Sequence, residues 1–231
     1  MAELVLILGN SGTGKTYSTK TLPIEKTLFI KTTKKEIGYR HNYIPIKSSD
    51  KTGNLFVSSN VKDIITVLEY STKNRDFEYY VFDDIQYLMS FEFFKRIKET
   101  RYYEKYVDIG KNTYDLYDFI IDKIPDDKIA FVMSHMDETI VEGRKYSKIM
   151  TIGDAVDKKL KIQGLVNVIL YTGVSRDLIN KKVDYFFETQ NSGYNDCKSP
   201  EGMFDELLIP NDLNYVAQKI KEYYPNKFKT N

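Results

Sequence analysis

Tryptophan is absent from the 231 residues, cysteine occurs once, at Cys197, and histidine only twice, at His41 and His135. One cysteine cannot close a disulfide within the chain, and so few thiols and imidazoles leave no cluster with zinc-ligand spacing. An excess of charge of one sign is missing too. The 34 Lys and Arg against 33 Asp and Glu leave a formal net charge of +1, so any contact with nucleic acid has to come from a local patch. Long apolar runs are also lacking. The first, Leu4 to Leu8, is too short for a signal peptide or a membrane span, which makes reducing cytoplasmic surroundings and no membrane partner the expectation. The length suits one substantial core, so a single domain over residues 1–231 with insertions is expected.

What is present begins with Leu4-Val5-Leu6-Ile7-Leu8, a continuous apolar run of the kind that forms a strand covered on both faces. It runs straight into Gly9-Asn10-Ser11-Gly12-Thr13-Gly14-Lys15-Thr16, a complete phosphate-binding loop. A helix from about Gly14 to Leu22, stopped by Pro23, is predicted after it, and a strand over Thr27 to Ile30. Gly9, Gly12 and Gly14 let the backbone curl around phosphate oxygens, and the helix start offers unpaired N–H groups. In this reading Lys15 contacts the β and γ phosphates of ATP, and Thr16 places its hydroxyl on Mg²⁺. Asn10, Ser11, Thr13 and Tyr17 complete the nucleotide-contacting stretch.

A loop of this type needs an acid at the end of a neighbouring buried strand. Tyr79-Tyr80-Val81-Phe82-Asp83-Asp84 has that form, with Asp83 in the magnesium shell and Asp84 orienting or deprotonating the attacking water. Asp84 has a second reading, as an acidic cap on a helix starting at Ile85. Ser134 and His135 end the apolar run Ile129 to Met133, at the edge of a parallel sheet where ligands lie. They are candidate sensors of the γ phosphate, with a solvated loop histidine as the alternative.

The remaining pattern predicts an irregular basic stretch over 31–59, an amphipathic helix over Val61 to Ser71 capped by Asn60, and mostly helix from Ile85 to Lys123 with a break around Asp108 to Thr113. It continues with a polar excursion through Gly143, a helix over Gly153 to Leu160, late antiparallel strands at Val166 to Tyr171 and Tyr185 to Glu188, and a C-terminal helix over 213–224. Alternating strands and helices give a doubly wound α/β architecture. Two segments mix cations with aromatics in the manner of single-strand binders. One runs from Lys95 to Lys111, where Glu92, Glu99, Glu104 and Asp108 offset the charge. The other is Arg144-Lys145-Tyr146-Ser147-Lys148.

The order GNSGTGKT, LFIKT, YYVFDDIQYL, FVMSHMDE, TIGDAVDKKLKIQGLVNVILYT and YFFETQNSGYNDCKSPEGMFDE resembles phage-encoded P-loop ATPases with a RecA-like core, some of which act in single-strand annealing or recombination. The resemblance implies a mostly parallel RecA-like sheet and a homo-oligomer with ATP between subunits. It also implies single-stranded DNA as a partner, with Arg144, Lys145 and Lys148 as the contacts, and phage replication or recombination proteins around it. Lys198 is the candidate basic finger reaching a neighbour's ATP. One departure stands out. RecA-like enzymes commonly carry a glutamate near the end of the second strand, whereas here that strand leads into Lys31-Thr32-Thr33-Lys34-Lys35-Glu36, with Glu36 displaced. A small-molecule or nucleotide kinase and a non-hydrolysing scaffold that recruits partners are the competing readings.

Overall fold

The computed structural model describes residues 2–47, 52–99, 102–152 and 160–228. Its strands are β1 (Glu3–Leu8), β2 (Thr27–Lys31), β3 (Leu55–Val57), β4 (Tyr79–Asp83), β5 (Ile129–Ser134), β6 (Met136–Val141), β7 (Arg144–Ile149), β8 (Val168–Asp177), β9 (Lys182–Glu188) and β10 (Leu208–Pro210). All but β6 and β7 join one mixed sheet of eight strands in the order β10-β9-β8-β1-β5-β4-β2-β3. The pairs β1–β5, β4–β5, β2–β4, β2–β3 and β1–β8 are parallel, while β8–β9 and β9–β10 are antiparallel. This is an α/β, doubly wound, mostly parallel sheet with late antiparallel strands, the architecture that the sequence pattern predicts. β10 is a third late strand that the sequence pattern does not announce, and β8 runs six residues beyond Tyr171 because β9 pairs with it that far.

Both faces of β1, β4 and β5 are buried, which is why these strands read as unbroken apolar runs rather than as alternation. One face packs under α1 (Val61–Asn74), α2 (Gln86–Lys95) and α3 (Tyr102–Asp122), burying Leu6, Leu8, Phe82, Val132, Leu68 and Ile120. The other packs against α4 (Leu213–Tyr223) through Val5, Ile7, Phe131, Leu170, Val216 and Ile220. Asn60 caps α1 as expected, accepting from the Lys62 N–H at 2.9 Å.

Four expectations are corrected or left aside. The segment after the glycine loop is a short 3₁₀ turn, Thr16–Thr21, rather than an α-helix. The Ser18 and Thr19 hydroxyls bond back to the Lys15 and Thr16 carbonyls at 2.5 and 2.7 Å, and such local bonds favour tight turns over regular helix. The helical break falls between Lys95 and Tyr102 rather than around Asp108 to Thr113. There α3 runs on through Gly110 to bury Ile109, Leu116, Tyr117 and Ile120, and that burial outweighs the roughly 1 kcal/mol a helical glycine costs. The polar excursion is an antiparallel ribbon, β6 with β7, turned by Glu142 at φ +51° and Gly143 at φ +77°. The helix expected over Gly153 to Leu160 falls almost wholly outside the described residues.

Candidate functional site

The site lies at the carboxyl ends of the parallel strands. β1 has β5 on one side and β8 on the other, and the chain leaves β1 first towards β2 and only later returns to β8, so a crevice opens above β1. It is a cavity of about 390 Å³ lined by Ser11, Gly12, Gly14, Lys15, Thr16 and Tyr17 from the loop, by Asp83 and Asp84 from β4, and by His135 beyond β5. Thr33, Lys35, Glu36, Gly38 and Tyr185 complete the wall.

The loop is held from beneath. The Thr13 hydroxyl donates to the Asn10 carbonyl at 2.7 Å and shares a 2.5 Å hydrogen bond with the Thr172 hydroxyl of β8. The Thr172 Oγ1 also lies 3.3 Å from the Leu8 carbonyl oxygen. A Cβ at Gly9 would stand 1.9 Å from the Thr172 Oγ1, so only glycine fits there. Gly12 and Gly14 have φ of +79° and +96°, the left-handed backbone that lets the loop close. Lys15 is buried, and its Nζ donates to the Gly9 and Asn10 carbonyls at 2.7 and 2.9 Å. Burial lowers its ammonium below the ordinary lysine value, with Asp84 and then Asp83 acting against that.

Thr16 and Asp83 meet. The threonine hydroxyl lies 3.0 and 3.2 Å from the two carboxylate oxygens. Burial, and after it the Asp84 charge, pushes the Asp83 carboxyl up to about 6, while Thr16, Lys15 and Lys31 pull it down. Hydroxyl and carboxylate oxygens are the hard donors that Mg²⁺ takes. No cluster of three or more His, Cys, Asp or Glu side chains suited to a metal exists among the described residues, so the pair fits an ion that brings its other ligands with a nucleotide.

Asp84 does not cap α2. The position before Gln86 is Ile85, and no side chain bonds to the helix start there. The Asp84 backbone instead adopts φ +60°, the left-handed region. The Thr32 hydroxyl, donating to its carbonyl at 2.7 Å, and the Ile85 N–H, donating to the Met133 carbonyl at 3.0 Å, hold it so. A non-glycine residue in that region costs about 1–3 kcal/mol and persists where surrounding structure fixes it, often at functional sites. The Asp84 Oδ1 lies 3.4 Å from the His135 Nε2. Burial, then the Lys15 charge, lowers the His135 imidazole below its ordinary value despite Asp84, so it is neutral at pH 7.

Not every candidate reaches the crevice. Ser134 is fully buried, donates to the His135 carbonyl at 3.1 Å and faces a small apolar cavity with Ile85, Leu88 and Leu116, so its hydroxyl cannot sense a phosphate. Lys198 pairs with Ile169 near the start of β8, before the point where β9 joins it, and its ammonium donates to the Gln163 carbonyl at 2.8 Å. Within one chain that ammonium is held by its own backbone, and its reach towards a neighbour's ATP remains an expectation. Glu36, displaced along the sequence, is returned to the crevice wall by the turn after β2. Tyr185, Thr172 and Lys35 carry no local motif. Only the pairing of β8 with β1 and the path of the loop after β2 reveal them.

The ribbon β6–β7 starts directly after His135 and is tied at its base. The Ser147 N–H donates to the Tyr194 carbonyl at 2.8 Å, and the Tyr171 hydroxyl to the Ser147 carbonyl at 2.9 Å. Lys145 pairs with Glu138 at 2.6 Å, and the Arg144 guanidinium lies 5.9 Å from the Tyr194 ring centre. Lys148 stands opposite Asp137 in the ribbon. In the other basic segment, Arg96 is enclosed by Glu92, Glu99 and Asp108, and Lys111 pairs with Asp115.

The P-loop at the end of β1, the acid at the end of β4 and the polar end of β5 coincide with a family match over residues 2–200. The chain belongs to the AAA domain family. Among solved structures, the KaiC-like protein PH0186 from the hyperthermophilic archaeon Pyrococcus horikoshii OT3 is similar to this AAA domain at 13% identity and a TM-score of 0.44, over 80% of this chain and 78% of that one. No curated protein matches the chain. Among the described residues of this AAA domain, no helix is long and apolar enough to cross a membrane.

Proposed function

We infer that this chain binds and hydrolyses ATP with Mg²⁺. The observation that carries the reading is the Thr16–Asp83 contact beside Lys15, with Asp84 and His135 across the same crevice. Lys15 leaves the Gly9 and Asn10 carbonyls for the β and γ phosphates, and loop N–H groups take the phosphate oxygens. Thr16 and Asp83 would hold Mg²⁺, which neutralises charge on the phosphates when bound. Asp84 accepts a proton from the water that attacks the γ phosphorus as the bond to the β-phosphate oxygen breaks, releasing ADP and phosphate. His135 orients Asp84 and meets the γ phosphate at the root of the ribbon.

The ribbon gives turnover a mechanical outlet, because His135 is followed directly by β6. Its cations Arg144, Lys145 and Lys148 support single-stranded DNA as the macromolecule engaged. The family resemblance supports a homo-oligomer in a phage recombination or replication setting. A scaffold that binds ATP without turnover is the second reading, favoured by the acidic partners that already occupy some of the ribbon's cations.

The test is steady-state ATP hydrolysis with and without a single-stranded oligonucleotide, beside a DNA titration at two salt concentrations. Turnover that rises with DNA supports the whole reading. Turnover without DNA affinity at either salt removes the DNA part, and tight ATP binding without turnover leaves the scaffold.

A further inference from the structure

A polar group buried against the phosphate loop has no part in phosphate chemistry. Both side-chain amide atoms of Asn211 are buried, and neither has a hydrogen-bond partner among the described residues. A buried amide left unpaired carries a desolvation penalty comparable to that of a broken hydrogen bond, so such a group calls for a partner in some working state. Asn211 lies against the phosphate loop. A Cβ built on Gly14 would stand 2.9 Å from its Oδ1 and 2.9 Å from the Tyr185 ring, and Tyr185 lines the crevice.

Its place is fixed by the loop itself. Asn211 sits between β10 and the start of α4, where the Asp212 N–H donates to the Pro210 carbonyl at 2.8 Å. The Asp212 carboxylate caps α4 through the Asn214 and Tyr215 N–H groups and accepts from the Thr21 hydroxyl at 2.6 Å. Thr21 ends the turn that begins at Thr16, so the amide is tied to the residues that bind phosphate. Tyr185 stacks at a tilt on Tyr17, with ring centres 5.9 Å apart, and Tyr17 is 45% accessible. Aromatic walls and an uncommitted amide side by side are what a planar heterocycle needs: rings to stack on, and a donor and acceptor for its edge.

We propose that Asn211 reads the base of the bound nucleotide and selects adenine, with Tyr17 and Tyr185 supplying the stacking surface. The proposal rests on the P-loop reading and deepens it. A carboxamide matches the N6/N7 edge of adenine because its oxygen accepts from the N6 amino group while its NH₂ donates to N7. Hypoxanthine and guanine carry an oxygen at that position, which meets the amide oxygen acceptor to acceptor. Turning the amide over does not rescue them, since its oxygen then faces N7, and turning Tyr185 aside from Gly14 opens the group to the base.

The experiment is calorimetric titration of the full chain with the Mg²⁺ complexes of ATP, ITP and GTP, using wild type, Asn211→Ala and Tyr185→Ala. Wild type is expected to bind ATP at least about tenfold more tightly than ITP, the size of one good bidentate contact. Asn211→Ala brings the two within about twofold by weakening ATP alone, a change in ratio that a purely structural residue does not produce. Tyr185→Ala weakens all three alike. Equal wild-type affinity for ATP and ITP overturns the proposal without using any variant, and so does an unchanged ratio in Asn211→Ala. In both cases the P-loop reading survives, whereas failure of all three nucleotides to bind overturns that reading and this one together.

Discussion

The Thr16 hydroxyl donates to the Asp83 carboxylate across 3.0 Å, joining the end of the phosphate loop to the end of a strand two places away in the sheet. The two residues are 67 positions apart in the chain, and the parallel order β1-β5-β4 brings them together. Thr16→Ala and Asp83→Asn should each reduce Mg²⁺-dependent hydrolysis by about a hundredfold or more, since the first removes a hydroxyl and the second a carboxylate charge at the proposed metal seat. Turnover against Mg²⁺ concentration checks it. Saturation at the wild-type Mg²⁺ level in both variants would exclude the pair as the metal seat.

The raised Asp83 carboxyl gives a pH test of definite sign. Its folded value, about 6, lies above the ordinary value of 3.8, so the folded state holds the proton more tightly than the unfolded chain. Without nucleotide, this contribution to stability is fully present below pH 3.8 and is lost as pH rises through about 6. Asp83→Asn should therefore raise stability at pH 7 by about 3 kcal/mol while lowering turnover. Thermal melts at pH 5 and pH 7 check this, the larger gain falling at the higher pH. A variant less stable at both would contradict it.

Thr172 supports the loop from β8. Removing its hydroxyl in Thr172→Val should weaken ATP binding by about tenfold, as the loop loses the side-chain bond that ties Thr13 to β8. Gly9→Ala places a methyl 1.9 Å from that hydroxyl and should unfold the loop or the chain. Combining it with Thr172→Ala should recover part of the lost melting temperature, and additive losses in the double variant would show that the clash is not the cause.

Asp84→Asn should lower kcat by about a hundredfold with little change in ATP affinity, because it removes a proton acceptor while keeping shape. His135→Gln should cost about tenfold, acting through Asp84. Since the imidazole is already neutral at pH 7, the wild-type rate should be level from pH 7 to 8. A rate that climbs steeply across that interval would assign a different group to the proton.

Neutralising Arg144, Lys145 and Lys148 together should weaken single-stranded DNA binding and reduce its salt slope by about one for each phosphate no longer neutralised. An unchanged slope removes the ribbon from the DNA site.

Much of this is legible in the sequence because it depends on local chemistry. Gly9 to Thr16 marks its own backbone, and the doubly covered strands β1, β4 and β5 show as apolar runs ending in polar residues. The acid at Asp83 follows from strand-end logic alone. What stays hidden depends on pairing across the sheet. Thr172 looks like any strand threonine until β8 is placed beside β1, and Glu36 and Tyr185 enter the crevice only through the path of distant segments. Ser134 defeats strand-end logic because alternation along β5 turns its side chain to the helix side, a matter of register that its position does not reveal. The ribbon escapes notice because Glu142-Gly143 is a weaker turn signal than Asn-Gly or Asp-Gly, although residues on both sides extend.

The most direct test of the central claim is ATP turnover by wild type and Lys15→Ala, purified in parallel and compared with Mg²⁺ in excess. The structure predicts measurable hydrolysis by wild type and a loss of about a hundredfold or more in the variant, with its melting temperature kept within a few degrees. Equal turnover by the two proteins would contradict the assignment of this crevice as the site of ATP hydrolysis.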